Sequence, residues 1–186
     1  KGKSILIIGG AGGVGSILRQ WASTLGATVI GTVGSAEKAL LAREQGCDHV
    51  INYHDEDFVE RVNQITAGAK CDVVYDSIGK MTFPGSLDCL RPFGTFVSFG
   101  FASGKIPPFD ILTLVEKGSL YATWPSLTQH LAKRSDALDM SAHLFELISE
   151  GVICVPLPVK LDLADAALAH QRLESRQTSG STILIP

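Results

Sequence analysis

Ser4-Ile5-Leu6-Ile7-Ile8-Gly9-Gly10-Ala11-Gly12-Gly13-Val14-Gly15 is a continuous apolar run that breaks into a cluster of glycines. Such a run, ended by glycine, is the pattern of a strand buried on both faces of a parallel sheet. The period then changes. Val14, Ile17, Leu18, Trp21, Ala22 and Leu25 recur at helical spacing, and Gly26 follows where a helix C-terminus favours it. The order is therefore strand, glycine turn, helix.

The alternation continues outward from that unit. Thr28 to Val33 reads as a strand, Ala36 to Gln45 as a helix closed by Gly46, and Val50 to Tyr53 as a third strand. Phe58, Val59, Val62 and Ile65 mark the next helix. Asp72 to Asp76 is a fourth strand, Met81 to Leu90 a helix broken near Pro84, and Gly94 to Phe99 a fifth strand. Alternation this regular predicts an α/β, Rossmann-like doubly wound parallel sheet with helices on both faces and right-handed crossovers. Phe101 to Asp110, with Gly104, Pro107 and Pro108, reads as a loop, either a flap or a plain connection. Ser119 to Trp124 reads as a sixth strand and Asp136 to Glu150 as a long helix stopped by Gly151. Beyond it come a short run with Pro156 and Pro158, a helix from Leu163 to Arg176 and a terminal strand Ser181 to Ile185.

Composition narrows the function classes. With 186 residues, 45% of them hydrophobic, the chain is long enough to bury a core. Its 16 Lys and Arg against 19 Asp and Glu give a formal net charge of -3, so the electrostatic drive for coating a nucleic acid is missing. No apolar stretch approaches the roughly 20 residues of a membrane span, and no signal-peptide pattern opens the chain. The four cysteines, Cys47, Cys71, Cys89 and Cys154, form no C-x-x-C pair, and the five histidines show no ligand spacing. The expectation is a reduced, cytoplasmic protein without a metal site.

Chemistry concentrates at Gly10-Ala11-Gly12-Gly13-Val14-Gly15, a G-x-G-x-x-G between a buried strand and an amphipathic helix. In this motif the first glycine permits the tight turn, the second lets the backbone approach a pyrophosphate, and the third lets helix and strand pack closely. The helix N-terminus adds free N–H groups and partial positive charge. Dinucleotide binding follows from that context; glycine turns without ligands are the plainer alternative. No Gly-Lys-Ser/Thr closes the turn, which excludes a Walker A loop.

NAD binders carry Asp or Glu at the end of the second strand, about 20 residues on, to hold the ribose 2'-hydroxyl. Here stand Gly34 and Ser35, with Lys38 just beyond. No carboxylate repels a 2'-phosphate and a base is near, so NADPH is expected over NADH. A solvated lysine near a helix start is the ordinary alternative for Lys38. Tyr53 ends the third strand, where it can lie along the adenine end or join the core. Ser77-Ile78-Gly79 and Phe99-Gly100 follow strands at the carboxyl edge, where open α/β sheets bind ligands. No Tyr-x-x-x-Lys pair and no G-x-S-x-G elbow occur.

Taken together these residues resemble the zinc-free quinone oxidoreductases, the zeta-crystallin-like branch of the medium-chain dehydrogenase/reductase superfamily. The resemblance runs through Ala11-Gly12-Gly13-Val14-Gly15, Gly31-Thr32-Val33-Gly34-Ser35 with Lys38, Val50-Ile51-Asn52-Tyr53 and Val74-Tyr75-Asp76-Ser77-Ile78-Gly79. It goes on through Ser86-Leu87-Asp88-Cys89-Leu90, Val97-Ser98-Phe99-Gly100, Gly118-Ser119-Leu120-Tyr121 and Leu173-Glu174-Ser175-Arg176. It implies that Gly13 and Val14 lie under the pyrophosphate and that Ser35, Lys38 and Tyr53 surround the 2'-phosphate. It also implies that Ile78, Phe99 and Gly100 border the nicotinamide half and that Arg176 reaches a cofactor phosphate; a helix-terminal arginine complementing the dipole is the alternative for Arg176.

Family members carry a barrel-like domain ahead of this part, so the resemblance implies a C-terminal piece of a quinone reductase. Residues 1-150 would form the NADP(H)-binding domain, and residues 151-186 a segment returning to the other domain. Without that domain, Ser181 to Ile185 is expected to expose an unpaired apolar edge. Ser119 to Trp124 is the edge that pairs across a homodimer in the family. The implied reaction is hydride transfer from NADPH to a quinone or enone; a non-catalytic NADPH-binding, redox-sensing module is the competing class.

Overall fold

A computed structural model describes residues 1–9, 12–155, 157–175, 178 and 181–186. Six strands form one wholly parallel sheet. They are β1 (Ser4–Ile8), β2 (Thr28–Val33), β3 (His49–Asn52), β4 (Cys71–Asp76), β5 (Leu90–Ser98) and β6 (Tyr121–Thr123), in the spatial order β3-β2-β1-β4-β5-β6. The order reverses direction between β1 and β4, which opens a crevice at the carboxyl ends of those two strands.

The first strand is apolar throughout because both of its faces are covered. Ile5 and Ile7 pack with Val29, Val33, Ala39 and Ala42 on one side. Leu6 and Ile8 pack with Ile30, Val74, Phe96, Phe83 and Leu87 on the other. Each fully buried Leu or Ile contributes about 2 kcal/mol of hydrophobic stabilisation. The covering helices are α1 (Gly13–Thr24), α2 (Ala36–Glu44), α3 (Phe58–Ile65) and α4 (Phe83–Asp88). Local chemistry fixes their starts. The Ser35 hydroxyl accepts the Lys38 N–H at α2, and the Asp57 carboxylate accepts the Val59 and Glu60 N–H groups at α3.

The central elements lie where periodicity put them, and the differences have physical reasons. The helix expected from Met81 starts instead at Phe83, because Pro84, lacking an N–H, suits a first turn and not a helix middle. β5 begins at Leu90, four residues before the expected Gly94, and its pairing with β4 shifts register between Cys71 and Val73. Two short helices, α5 (Leu112–Glu116) and α6 (Leu127–His130), carry no periodic signal of their own. The long helix is α7 (Arg134–Ser149).

The tail requires a correction. β7 (Val159–Asp162) and β8 (Thr182–Ile185) pair in parallel as a separate two-stranded sheet, so the terminal strand has a partner along one edge. A 3₁₀ turn at Leu163–Asp165 and α8 (Ala166–Glu174) supply the crossover that parallel pairing requires. The expected single helix from Leu163 is thus two pieces, because Asp165 and Ala166 change the winding. Among the described residues no helix is long and apolar enough to cross a membrane.

Candidate functional site: the crevice at the carboxyl edge

The entrance to α1 is built from backbone. Gly12 occupies the N-cap with no side chain to cap the helix, and the first turn holds no acidic residue. The N–H groups at its start, which have no partner within a helix, therefore face the end of β1 with the positive end of the helix dipole behind them. Gly12 itself donates to the Gly9 carbonyl at 3.1 Å, and the Gly9 N–H donates to Thr32 Oγ1 at 3.2 Å, which ties this turn to β2. Gly13 and the exposed Val14 lie in the first helical turn. Gly10 and Ala11 lie outside the described residues.

One side of the crevice is the end of β2. Gly34 and Ser35 lead directly into α2, and Lys38 sits half-buried in its first turn. Tyr53, just past β3, lies against Gly34, and a Cβ added there would collide with the phenol oxygen. Tyr53 is 39% exposed and its ring centroid lies 4.6 Å from that of His54. The structure thus gathers Gly34, Ser35, Lys38 and Tyr53 at one corner, where the two residues leaving β2 carry no carboxylate and Glu37 stands in the first turn of α2.

The other side is the turn after β4, organised by Asp76. This carboxylate is fully buried at 0% exposure. Oδ1 accepts the N–H groups of Ile78 and Gly79 at 2.8 and 3.0 Å, and Oδ2 accepts the Thr82 and Ser86 hydroxyls, both at 2.7 Å. Four donors satisfy a charge that would otherwise be costly to bury. The turn then meets the end of β5. Phe99 donates its N–H to the Asp76 carbonyl at 3.0 Å, and Gly100 passes so close that a Cβ would stand 2.5 Å from the Ser77 carbonyl oxygen. Ile78, Phe99 and Gly100 are thereby brought together, half-buried, at the switch-point crevice. Arg176 lies outside the described residues.

Sequence reading named the turn around Asp76 but not Asp76 as its organiser. The signal is in retrospect the recurrence of hydroxyls at Thr82 and Ser86, one helical turn apart, downstream of a strand-end acid. Ser98 was also passed over as a site residue; its side chain is 5% exposed and its Oγ has no hydrogen-bond partner among the described residues.

Burial raises the thiols of Cys47, Cys71 and Cys89. The Cys47 thiol is pushed up to about 11, chiefly by burial and against the pull of nearby Arg19, and the Cys71 thiol to about 12 by burial and then by Asp72. Neither is a poised nucleophile.

The profile of the zinc-binding dehydrogenase family matches residues 13–134. A quinone oxidoreductase of Salmonella typhimurium is 52% identical over 178 residues, covering 95% of this chain and 54% of that protein. A 2-haloacrylate reductase of a Burkholderia species is 46% identical over 186 residues, 56% of its length. The crystal structure of Escherichia coli quinone oxidoreductase complexed with NADPH superposes with a TM-score of 0.95 at 49% identity, over 99% of this chain and 57% of that one. The quinone oxidoreductase of Pseudomonas syringae pv. tomato also gives 0.95, at 43% identity, over 100% of this chain and 57% of that one. The chain belongs to the zinc-binding dehydrogenase family. It spans about half the length of the relatives it matches.

The family's name implies zinc. Among the described residues no group of three His, Cys, Asp or Glu side chains converges as a metal site. A dinucleotide does fit the uncapped α1 entrance, the Gly34-Ser35 end of β2 and the close backbone approach at Gly100.

Proposed function

We propose that this chain is the cofactor-holding part of an NADPH-dependent quinone reductase, acting on quinones or related electron-poor enones. The observation that carries the reading is the corner at the end of β2, where Gly34, Ser35, Lys38 and Tyr53 meet and the strand-end positions are Gly34 and Ser35 rather than Asp or Glu. A 2'-phosphate there meets a lysine rather than an acid. The names of the relatives, quinone oxidoreductase and 2-haloacrylate reductase, support an electron-poor C=C or C=O acceptor.

NADPH supplies the hydride when bound; the protein's part is to hold and orient it. In this reading Gly12, Gly13 and Val14 bring backbone N–H groups to the pyrophosphate. Ser35, Lys38 and Tyr53 take the adenosine end, and Ile78, Phe99 and Gly100 form the wall beside the nicotinamide. Arg176 is assigned a cofactor phosphate on the resemblance alone. Residues 1-150 are the cofactor domain, and residues 151-186 return toward the family's other domain. We further place the protein in the cytoplasm as a homodimer. Support for the dimer comes from β6, which ends the sheet with Tyr121, Ala122 and Thr123 all exposed.

Calorimetric titration with NADPH and separately NADH, at fixed salt, tests the cofactor assignment, and NADPH oxidation with a quinone acceptor in the full-length protein tests the reaction. Tighter NADPH binding with quinone turnover is expected. Binding without turnover on any quinone or enone would return the protein to the redox-sensing class, and binding of neither nucleotide would overturn the assignment.

A further inference from the structure

The turn after β4, residues 77–81, and the turn after β5, residues 99–104, lie side by side at the crevice, and backbone bonds stitch them along their length. Ala102 donates its N–H to the Ser77 carbonyl at 3.3 Å, Ser103 to the Ile78 carbonyl at 2.8 Å, and Lys80 to the Gly104 carbonyl at 3.0 Å. The approach is close. At Gly79, whose φ is +89°, an added Cβ would stand 2.6 Å from the Gly104 carbonyl oxygen.

One side chain joins the seam. The half-buried Ser103 donates its hydroxyl to the Ile78 carbonyl at 2.8 Å, and its Oγ accepts the Met81 N–H at 3.0 Å. Ile78 is therefore held from two directions. Its N–H goes to the buried Asp76 carboxylate at 2.8 Å, and its carbonyl takes both the N–H and the hydroxyl of Ser103. A residue whose donor and acceptor are both engaged has little freedom to turn its side chain. The loop that carries Ser103 is itself anchored: Phe101 stacks on Trp124 with 6.0 Å between ring centroids, and Ile106 packs against the core cluster that contains Phe96 and Leu114.

We propose that Ser103 is a positioning residue, which sets the wall of Ile78, Phe99 and Gly100 from the side opposite Asp76 and acts through Ile78 rather than on the nucleotide. The role rests on reading that wall as the nicotinamide end. A hydroxyl suits the position because it donates and accepts at once, which neither a methyl group nor an ionised carboxylate can do. The turn after β4 and the loop after β5 then respond to a bound nucleotide as one unit, with Ser103 as their side-chain link.

The test compares two probes by calorimetry in the full-length protein: NADPH, and 2'-phospho-ADP-ribose, which lacks the nicotinamide. Ser103→Ala should raise the NADPH dissociation constant roughly three- to tenfold, the scale of one neutral hydrogen bond, and leave the 2'-phospho-ADP-ribose isotherm unchanged. NADH should weaken by the same factor as NADPH, because the two share the nicotinamide end. Without any nucleotide, amide exchange at Met81 should become faster, since its N–H loses an acceptor.

Equal weakening of NADPH and 2'-phospho-ADP-ribose would signal a general loss of structure and overturn the proposal. So would Met81 exchange at the parent's rate. A parent protein that binds neither probe would overturn the cofactor reading and this role with it. A parent that binds both, with NADPH affinity indifferent to Ser103→Ala, would overturn this role alone and leave the cofactor reading standing.

Discussion

The side-chain amide of Gln20 on α1 pairs with the backbone of Cys154, 134 positions away: Oε1 accepts the Cys154 N–H at 2.8 Å, and Nε2 donates to the Cys154 carbonyl at 3.1 Å. Nε2 also donates to the Ser16 carbonyl at 2.9 Å, so one buried amide bridges the cofactor helix and the segment that leaves the sheet. Beside it Ile153 is buried at 1% exposure. Gln20→Ala should lower stability by about 1–2 kcal/mol, the net worth of these bonds, and speed amide exchange at Cys154. Chemical denaturation and hydrogen exchange read the two effects; an unchanged midpoint would count against the clamp.

Asp76 makes a larger claim. Asp76→Ala leaves two backbone donors and two hydroxyls without their acceptor in a buried turn, at a cost of about 3 kcal/mol or more. The same loss frees Ile78 and Gly79, so nucleotide affinity should fall in any variant that still folds. A thermal midpoint close to that of the parent protein would contradict the role given to this carboxylate.

At the adenosine corner, Lys38→Glu replaces an attraction with a repulsion. NADPH affinity should drop about tenfold or more while NADH affinity holds. Equal losses for both nucleotides would remove the 2'-phosphate assignment. Gly34→Ala should act through Tyr53, whose phenol must move to admit a methyl group, and should weaken NADPH binding with little change in stability, because Tyr53 is half-exposed.

Acid stability should depend on Asp72. Burial works against its charge, but the Ser4 N–H bond at 2.9 Å and the contacts with Lys3 and Arg91 outweigh it, bringing the carboxyl from 3.8 to about 2. A depressed value means stability that is fully present above pH 4 and is lost as pH falls through about 2. Asp72→Asn should flatten the stability profile in that window. A profile between pH 4 and pH 2 identical to that of the unaltered protein would exclude the linkage.

The sheet was legible because β1 and β2 are buried on both faces, so burial and sequence hydrophobicity coincide there. Helix α1 was legible only in position. Its apolar spacing promised a face of Val14, Leu18 and Leu25, yet Val14 and Leu25 are exposed, while Ser16, Arg19 and Gln20 are buried. Arg19 at 1% exposure bonds Gln45, and Gln20 holds Cys154, so long-range partners set the orientation of this helix, and hydropathy does not encode them. Likewise the glycines announced the crevice, whereas Asp76 and Ser103 gain meaning from neighbours that only the folded chain brings near. The pairing of β7 with β8 joins runs more than a dozen residues apart, a distance over which no local pattern specifies a partner.

That small sheet divides the molecule into two levels of opening. Its strands have four residues each, lie largely exposed and are paired along one edge, whereas β1 is flanked by β2 and β4 and sealed on both faces. In the 186-residue chain taken by itself two strands are marginal in water, so there this element is expected to fluctuate open far more often than the sheet core. Amides of Leu161 and Leu184 should exchange in minutes while those of Ile7 and Val29 persist through global unfolding. Limited proteolysis should first release the C-terminal fragment, leaving the nucleotide crevice folded on its own cooperative unit.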